Sequence, residues 1–159
     1  MDVSYINPFL LAAKNVLETM AQTKVRPQKP RLKEEKTTYG EVTGIIGMVS
    51  EEMSGSMLVS FSASCILQIV ANMLMETKKE KIDEEIVDAV GELTNMICGG
   101  AKAELSKKGL KFDLAQPTMV VGKGIEIKAY TNNPTIVIPF DTDSGNFVIE
   151  ANLGAKRVK

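Results

Sequence analysis

Histidine and tryptophan are absent from this chain, and cysteine occurs only twice. Without histidine, Ser–His and Cys–His nucleophilic catalysis is excluded, as are the commonest zinc sites. Cys65 and Cys98 each fall inside an expected helix and read as buried, inert thiols rather than as nucleophiles or redox partners. No GxxxxGK[ST] loop and no GxGxxG fingerprint occurs, so the sequence offers no cradle for a nucleotide phosphate. A net charge of −1 gives neither nucleic acid nor an anionic membrane a reason to bind. No apolar run approaches the ~20 residues that span a bilayer, and no secretory leader is visible, so a cytoplasmic location is expected. An enzyme built from this chain works without the usual nucleophiles and without a nucleotide cofactor.

What is present is ordinary in bulk and unusual in one place. The 159 residues, 44% hydrophobic and 25% charged, suffice for one domain spanning 1–159 with a core that needs no disulfide or metal. The unusual place is DEEIVDAVGELTNMICGGAKAELSKKG, Asp83 to Gly109. At about 100° per residue, Ile86, Val90, Leu93, Ile97 and Ala101 share one stripe, while Asp88, Glu92, Asn95 and Gly99 cluster opposite. Asp83 is the expected N-cap, Glu84 and Glu85 suit the positive end of the dipole, and Gly109 suits a left-handed cap. The outward side is odd because Asn95, Gly99 and Gly100 are poor helix formers, each glycine costing about 1 kcal/mol against alanine. Two readings stay open on the residues alone. The glycines admit a neighbouring element of the same chain, or the patch is meant to be approached closely by another molecule.

The remaining chain alternates helix and strand. Ser4 to Ala21 is predicted as a helix whose core stripe is Ile6, Phe9, Leu10, Ala13, Val16, Leu17 and Met20, with Pro8 in its opening turn. Glu18 is followed three places on by Ala21, so this helix cannot repeat the Glu-x-x-Asn arrangement. VRPQKPRLKEEK suits an edge strand or a linker. Glu41–Val49 and Ser56–Ser62 are predicted as a hairpin turning at SEEMSG. Ser62 or Ser64 caps a further helix carrying Ile66, Ile69, Val70, Met73 and Leu74. Lys111–Val121, with Pro117 near its bend, Ile125–Tyr130, and the sets around Ile136–Phe140 and Phe147–Ala151 are predicted as antiparallel strands, with NNP and DTDSGN as turns. The tail from 154 to 159 is expected to be disordered. The predicted fold is α+β: two long helices packed on a largely antiparallel β-sheet, with a rough internal duplication.

The run GELTNMICGGAKAEL, taken with this architecture, resembles the signature helix of the CheC/CheX/FliY family of chemotaxis phosphatases. The family motif is an acidic or serine residue, a glutamate four later, an asparagine three later and a proline about twenty-two beyond. Asp88, Glu92, Asn95 and Pro117 match it in turn. The resemblance spans nearly the whole chain and is closest to the CheX branch, because one Glu-x-x-Asn site is visible where the CheC pattern has two.

That resemblance implies a CheC-like fold, and hydrolysis of the aspartyl phosphate of the response regulator CheY in two-component signalling. It implies no cofactor of the chain's own, Mg²⁺ supplied by the bound regulator, and a homodimer joined through sheet edges. Glu92 and Asn95 are then the catalytic candidates. A carboxamide can hold a water without adding charge beside a phosphoryl group. Glu92 is suited to pair with the regulator's lysine, its rival role being that of general base. Asp88 and Gly99 are partner-binding candidates, and Pro117 is expected to shape a loop near the site. Alternatives of another class are a non-catalytic scaffold of the flagellar-switch kind that binds a response regulator, and a purely structural dimer.

Overall fold

A computed structural model describes residues 3–128 and 133–156. Among them are three helices, α1 (Val3–Met20), α2 (Ala63–Leu74) and α3 (Glu84–Ser106). The strands are β1 (Arg26–Pro27), β2 (Arg31–Leu32), β3 (Val42–Val49), β4 (Met53–Phe61), β5 (Asp113–Leu114), β6 (Thr118–Val121), β7 (Ile136–Thr142) and β8 (Gly145–Ala155). All eight join one antiparallel sheet ordered β1-β7-β8-β4-β3-β5, with β2 also on β7 and β6 also on β3. The α+β architecture is therefore as expected. The helices run to 18, 12 and 23 residues, α2 being the further, shorter helix that Ser62 or Ser64 is expected to cap.

The core lies between the helices and one face of the sheet. Alternate residues Met57, Val59 and Phe61 of β4 and Phe147, Ile149 and Ala151 of β8 are fully buried there. All five phenylalanines are at most 1% exposed, and Phe140 stacks on Phe147 with centroids 4.7 Å apart. The phenylalanines thus all serve the interior, each contributing roughly 1.5–3 kcal/mol by burial. From α1 the core receives Ile6, Phe9, Ala13 and Leu17, and from α2 Ile66, Ile69 and Val70, as their spacing predicts; Met20 and Leu74 are instead exposed. Ser62 caps α2 by accepting from the Cys65 N–H.

The opposite face of the sheet is also covered, which alternation alone does not reveal. Residues 33–41 run across it from the β7 edge to β3, and the chain after β6 lies against them through Thr38 N–H to Ile125 C=O and Ile127 N–H to Lys36 C=O. Beneath sit polar residues that are buried but partnered. Thr43 and Ser60 share a 2.7 Å hydrogen bond, Ser60 also accepts from Gly40 N–H, and Lys33 pairs with Glu150 at 2.6 Å. Ile125 and Ile127 therefore belong to a covering segment, with an isolated bridge at Thr37–Glu126, and among the described residues to no strand of the sheet. The end of that predicted strand, Ala129 and Tyr130, and Asn132 of the NNP turn lie outside the described residues.

Three further expectations change. β4 begins at Met53, because Ser50 closes a tight turn with its N–H on Met53 C=O and its hydroxyl accepting from Met53 N–H. The predicted strand 111–121 is broken into β5 and β6. Its register on β3 slips by one residue between Leu114 and Thr118, a bulge placed where Pro117 has no N–H to give. The tail expected to be disordered from 154 is not so at its start: Gly154 and Ala155 finish β8 against β4, and Lys156 N–H donates to Glu52 C=O.

Candidate functional site

Helix α3 is held at its start by charge and at its inner side by packing. The Asp83 carboxylate accepts from Ile86 N–H at 3.0 Å, while Lys79 reaches both Asp83 (2.5 Å) and Glu85 (2.9 Å). The Lys79 ammonium first, and the Ile86 N–H second, hold the Asp83 carboxyl below its usual value. At the far end Leu110 N–H returns to Leu105 C=O, and Gly109 takes φ +86°, the left-handed geometry expected of it. Ile86, Val90, Leu93, Ile97 and Ala101 are all buried. Thr94, also buried, donates to Val90 C=O and faces Gly44 of β3, where any Cβ would collide with it. That strand glycine lets the helix settle directly onto the sheet.

With the inner side committed, Asp88, Glu92 and Asn95 are exposed and Gly99 is half-buried on the outer side. The structure thus brings the four residues singled out from the sequence onto one face. Glu92 and Asn95, three residues apart, stand as neighbours about 5–6 Å apart at their Cβ atoms. Among the described residues neither side chain is occupied by a hydrogen bond or an ion pair within the chain.

The two neighbouring glycines separate the two readings that the sequence left open. A Cβ on Gly100 would lie 3.1 Å from the Ala12 Cβ, so this glycine lets α1 pack against α3. A Cβ on Gly99 would meet nothing within 4 Å. Only Gly100 is explained by the chain itself. On the other flank, the Met119 sulfur of β6 would stand 3.6 Å from a Cβ on Gly91, the residue before Glu92. Pro117 is the residue preceding β6, so it leads into the strand that borders the site. Nothing local in the sequence announces Met119 at this position, because the contact depends on how β6 registers on β3.

The chemistry available here is that of an open surface. A cleft of about 640 Å³ lies between the β3–β4 turn and residues 109–113, and one of about 260 Å³ lies where α1 and α2 end near the β7–β8 turn. Neither is lined by an outer-face residue of α3. An exposed helix face of this kind lacks the concavity that encloses a small ligand. The thiols contribute nothing: burial pushes Cys65 up to about 11 and Cys98 up to about 12, keeping both protonated.

A family model described as "Chemotaxis phosphatase CheX" matches residues 42–141, a stretch that contains the whole of α3 and Pro117. The chain belongs to the CheX family of chemotaxis phosphatases. It is 25% identical over 130 residues to the CheY-P phosphatase CheX of Thermotoga maritima, covering 82% of this chain and 83% of that one. A CheC-like superfamily protein from a Shewanella species is 45% identical, with 97% of this chain and 99% of that one covered at a TM-score of 0.90. The solved CheX–CheY–BeF₃–Mg²⁺ complex from Borrelia burgdorferi is also similar, at 25% identity, 94% and 97% coverage and a TM-score of 0.79. The family read from Asp88, Glu92, Asn95 and Pro117 is therefore the family to which this chain belongs.

Proposed function

We propose that this protein hydrolyses the aspartyl phosphate of a CheY-type receiver, using Asn95 to position the attacking water and Glu92 to anchor the receiver. The observation that carries the proposal is the pairing of an exposed amide and an exposed carboxylate, one turn apart, on a helix whose other side is fully buried. The phosphatase and the receiver complex among its relatives support the choice of substrate. The Mg²⁺ needed at the phosphoryl group arrives with the receiver.

The chemistry asked of this chain is small. Phosphoryl transfer depends mainly on alignment and charge stabilisation, and fixing a water in line replaces an entropic cost that bulk solvent cannot avoid. The Asn95 carboxamide oxygen accepts a hydrogen bond from the water, turning an oxygen lone pair toward phosphorus. The P–O bond to water forms as the bond to the receiver's carboxylate breaks, the water's protons pass to the phosphate oxygens, and inorganic phosphate leaves. An amide is neutral, so it does not repel the phosphoryl oxygens. Glu92 pairs with a receiver ammonium and sets where Asn95 lands, with Asp88 as a further contact at the edge of the patch.

A homodimer through sheet edges is part of the same proposal. The β1/β2 edge carries Arg26, Pro27 and Arg31, which blunt it, whereas β6 ends in Val121, 57% exposed. The β6 edge is the one suited to a second copy, and sedimentation at graded concentrations tests for it. The phosphatase proposal is tested by phosphate release from several phosphorylated receivers, with wild type and Asn95→Ala side by side. Release accelerated by wild type alone is the expected result. Binding without accelerated release would leave a scaffold in place of an enzyme.

A further inference from the structure

Asp88, Glu92 and Asn95 have roles in this proposal, but two neighbouring features have no reason inside the chain. Gly99 disfavours the helix relative to alanine, yet among the described residues nothing beyond its chain neighbours and its own helix backbone lies within 4 Å of where its Cβ would be. Leu11 on α1 is 54% exposed although Ala12 beside it is buried. A lone exposed leucine is unremarked on a protein surface; its position is what matters. Ala12 and Gly100 meet where the helices pack, and Leu11 and Gly99 are the residues preceding them. Each therefore sits about 100° round its own helix from that contact. The buried stripes of α1 and α3 point to the core, so Leu11 and Gly99 both turn to the outer surface of the helix layer, on either side of the seam.

We propose that Leu11 and Gly99 form an apolar seat for the receiver: Leu11 is the anchor supplied by α1, and Gly99 is the gap into which an aliphatic part of the receiver's surface settles. This seat rests on the phosphatase proposal above and extends it to a second helix. Gly99 lies four residues, about 6 Å along the axis, from Asn95. A specific interface covers about 800 Å² on each partner, so a receiver that brings its acyl phosphate to Asn95 also covers the seat. The outer face divides accordingly. Its earlier half, with Asp88 and Glu92, offers negative charge to a receiver cation. Its later half offers an aliphatic side chain beside an open backbone, the setting in which a buried contact strengthens binding.

The experiment titrates a beryllofluoride-activated receiver into wild type, Leu11→Ala, Gly99→Ala, Gly99→Leu and Met75→Ala, with melting curves for each and KM and kcat for phosphate release. Gly99→Ala is expected to raise Tm by about 2–4 °C while weakening binding about 3-fold. Leu11→Ala weakens binding about 10-fold with Tm unchanged, and Gly99→Leu weakens it further. The losses appear in KM and spare kcat. Met75, 91% exposed at the end of α2, is the control and leaves affinity unchanged. Wild-type affinity in folded Leu11→Ala and Gly99→Leu overturns the seat while leaving the phosphatase proposal intact. Receiver binding without phosphate release overturns the phosphatase and keeps the seat; no binding by wild type overturns both.

Discussion

Helices α1 and α3 pack against each other and send their apolar stripes into the same core, yet only one carries a candidate site. On α3, Glu92 is followed three residues on by Asn95, and both are exposed. On α1, Glu18 is exposed but the third residue on is Ala21, which is fully buried. The reason is geometric. After Met20 the chain leaves the helix, Ala21 and Thr23 both return their N–H groups to Leu17 C=O, and Gln22 takes φ +42°. The position that would answer Asn95 has been turned into the core. Amphipathic periodicity thus locates the outward face of each helix, while the residue types on it, and where the helix stops, decide whether that face can do chemistry.

Removing the amide is the sharpest way to break this asymmetry. Asn95→Ala is expected to lower the rate of receiver dephosphorylation by about 100-fold or more, the scale on which lost alignment costs turnover. Receiver affinity and Tm should stay near wild type, since Asn95 is exposed and contributes no packing. Equal loss of binding and turnover would remove the water-positioning role. The reciprocal change, Ala21→Asn in the Asn95→Ala background, should restore no activity. It should also destabilise the protein by about 1–3 kcal/mol, because it places an amide where the chain is closed and no partner waits. Thermal melting together with phosphate release reads both effects, and any regained turnover would show that α1 can host the site after all.

Glu92 tests the comparison less severely. Glu92→Ala is expected to weaken receiver binding about 10-fold and to lower turnover with it, as loss of one charged contact across an interface does. Glu92→Gln, which keeps shape and loses charge, should fall between wild type and alanine, with the difference shrinking as salt is raised. Unchanged affinity in calorimetric titration would take the anchoring role from this residue.

The features legible in the sequence are those whose causes are local. The limits of α3, its Asp83 cap, its buried stripe and its outward patch all follow from period, capping and dipole within one segment. The features that were not legible have distant causes. Ile125 and Ile127 alternate like a strand, but residues 36–38 hold them across the back of the sheet. Met53, Ser54 and Gly55 look like turn residues, yet β8 pairs with each of them and draws them into β4. Glu150 and Asn152 interrupt an apolar run in β8, and they are buried at low cost by partners distant in sequence: Lys33, 117 residues from Glu150, and Thr135 and the Asn133 C=O, 17 and 19 residues from Asn152. At the site, Glu92 and Asn95 could be placed from spacing alone, whereas the distinction between Gly99 and Gly100 required knowing where Ala12 lies.

The smallest expected effect concerns how firmly α3 is started. Asp83 is held below its ordinary value of 3.8 by Lys79 and by the Ile86 N–H. A carboxyl depressed in the folded state contributes stability that is present above its unfolded pKa and is lost as pH falls through the folded one. Lys79, raised above 10.5 by Asp83 and Glu85, contributes at the other end, with stability lost only as pH climbs through its folded value. Between those limits the cap is fully charged. Asp83→Asn retains a side-chain oxygen for the Ile86 N–H but gives up the charge, so it should melt below wild type at about pH 7 and lose that deficit below about pH 4. Glu92 and Asn95 lie two to three turns farther along the helix, so the variant should leave turnover at neutral pH nearly unchanged. A melting deficit that stays constant down to about pH 3 would mean that the Asp83 charge is not what separates the variant from wild type.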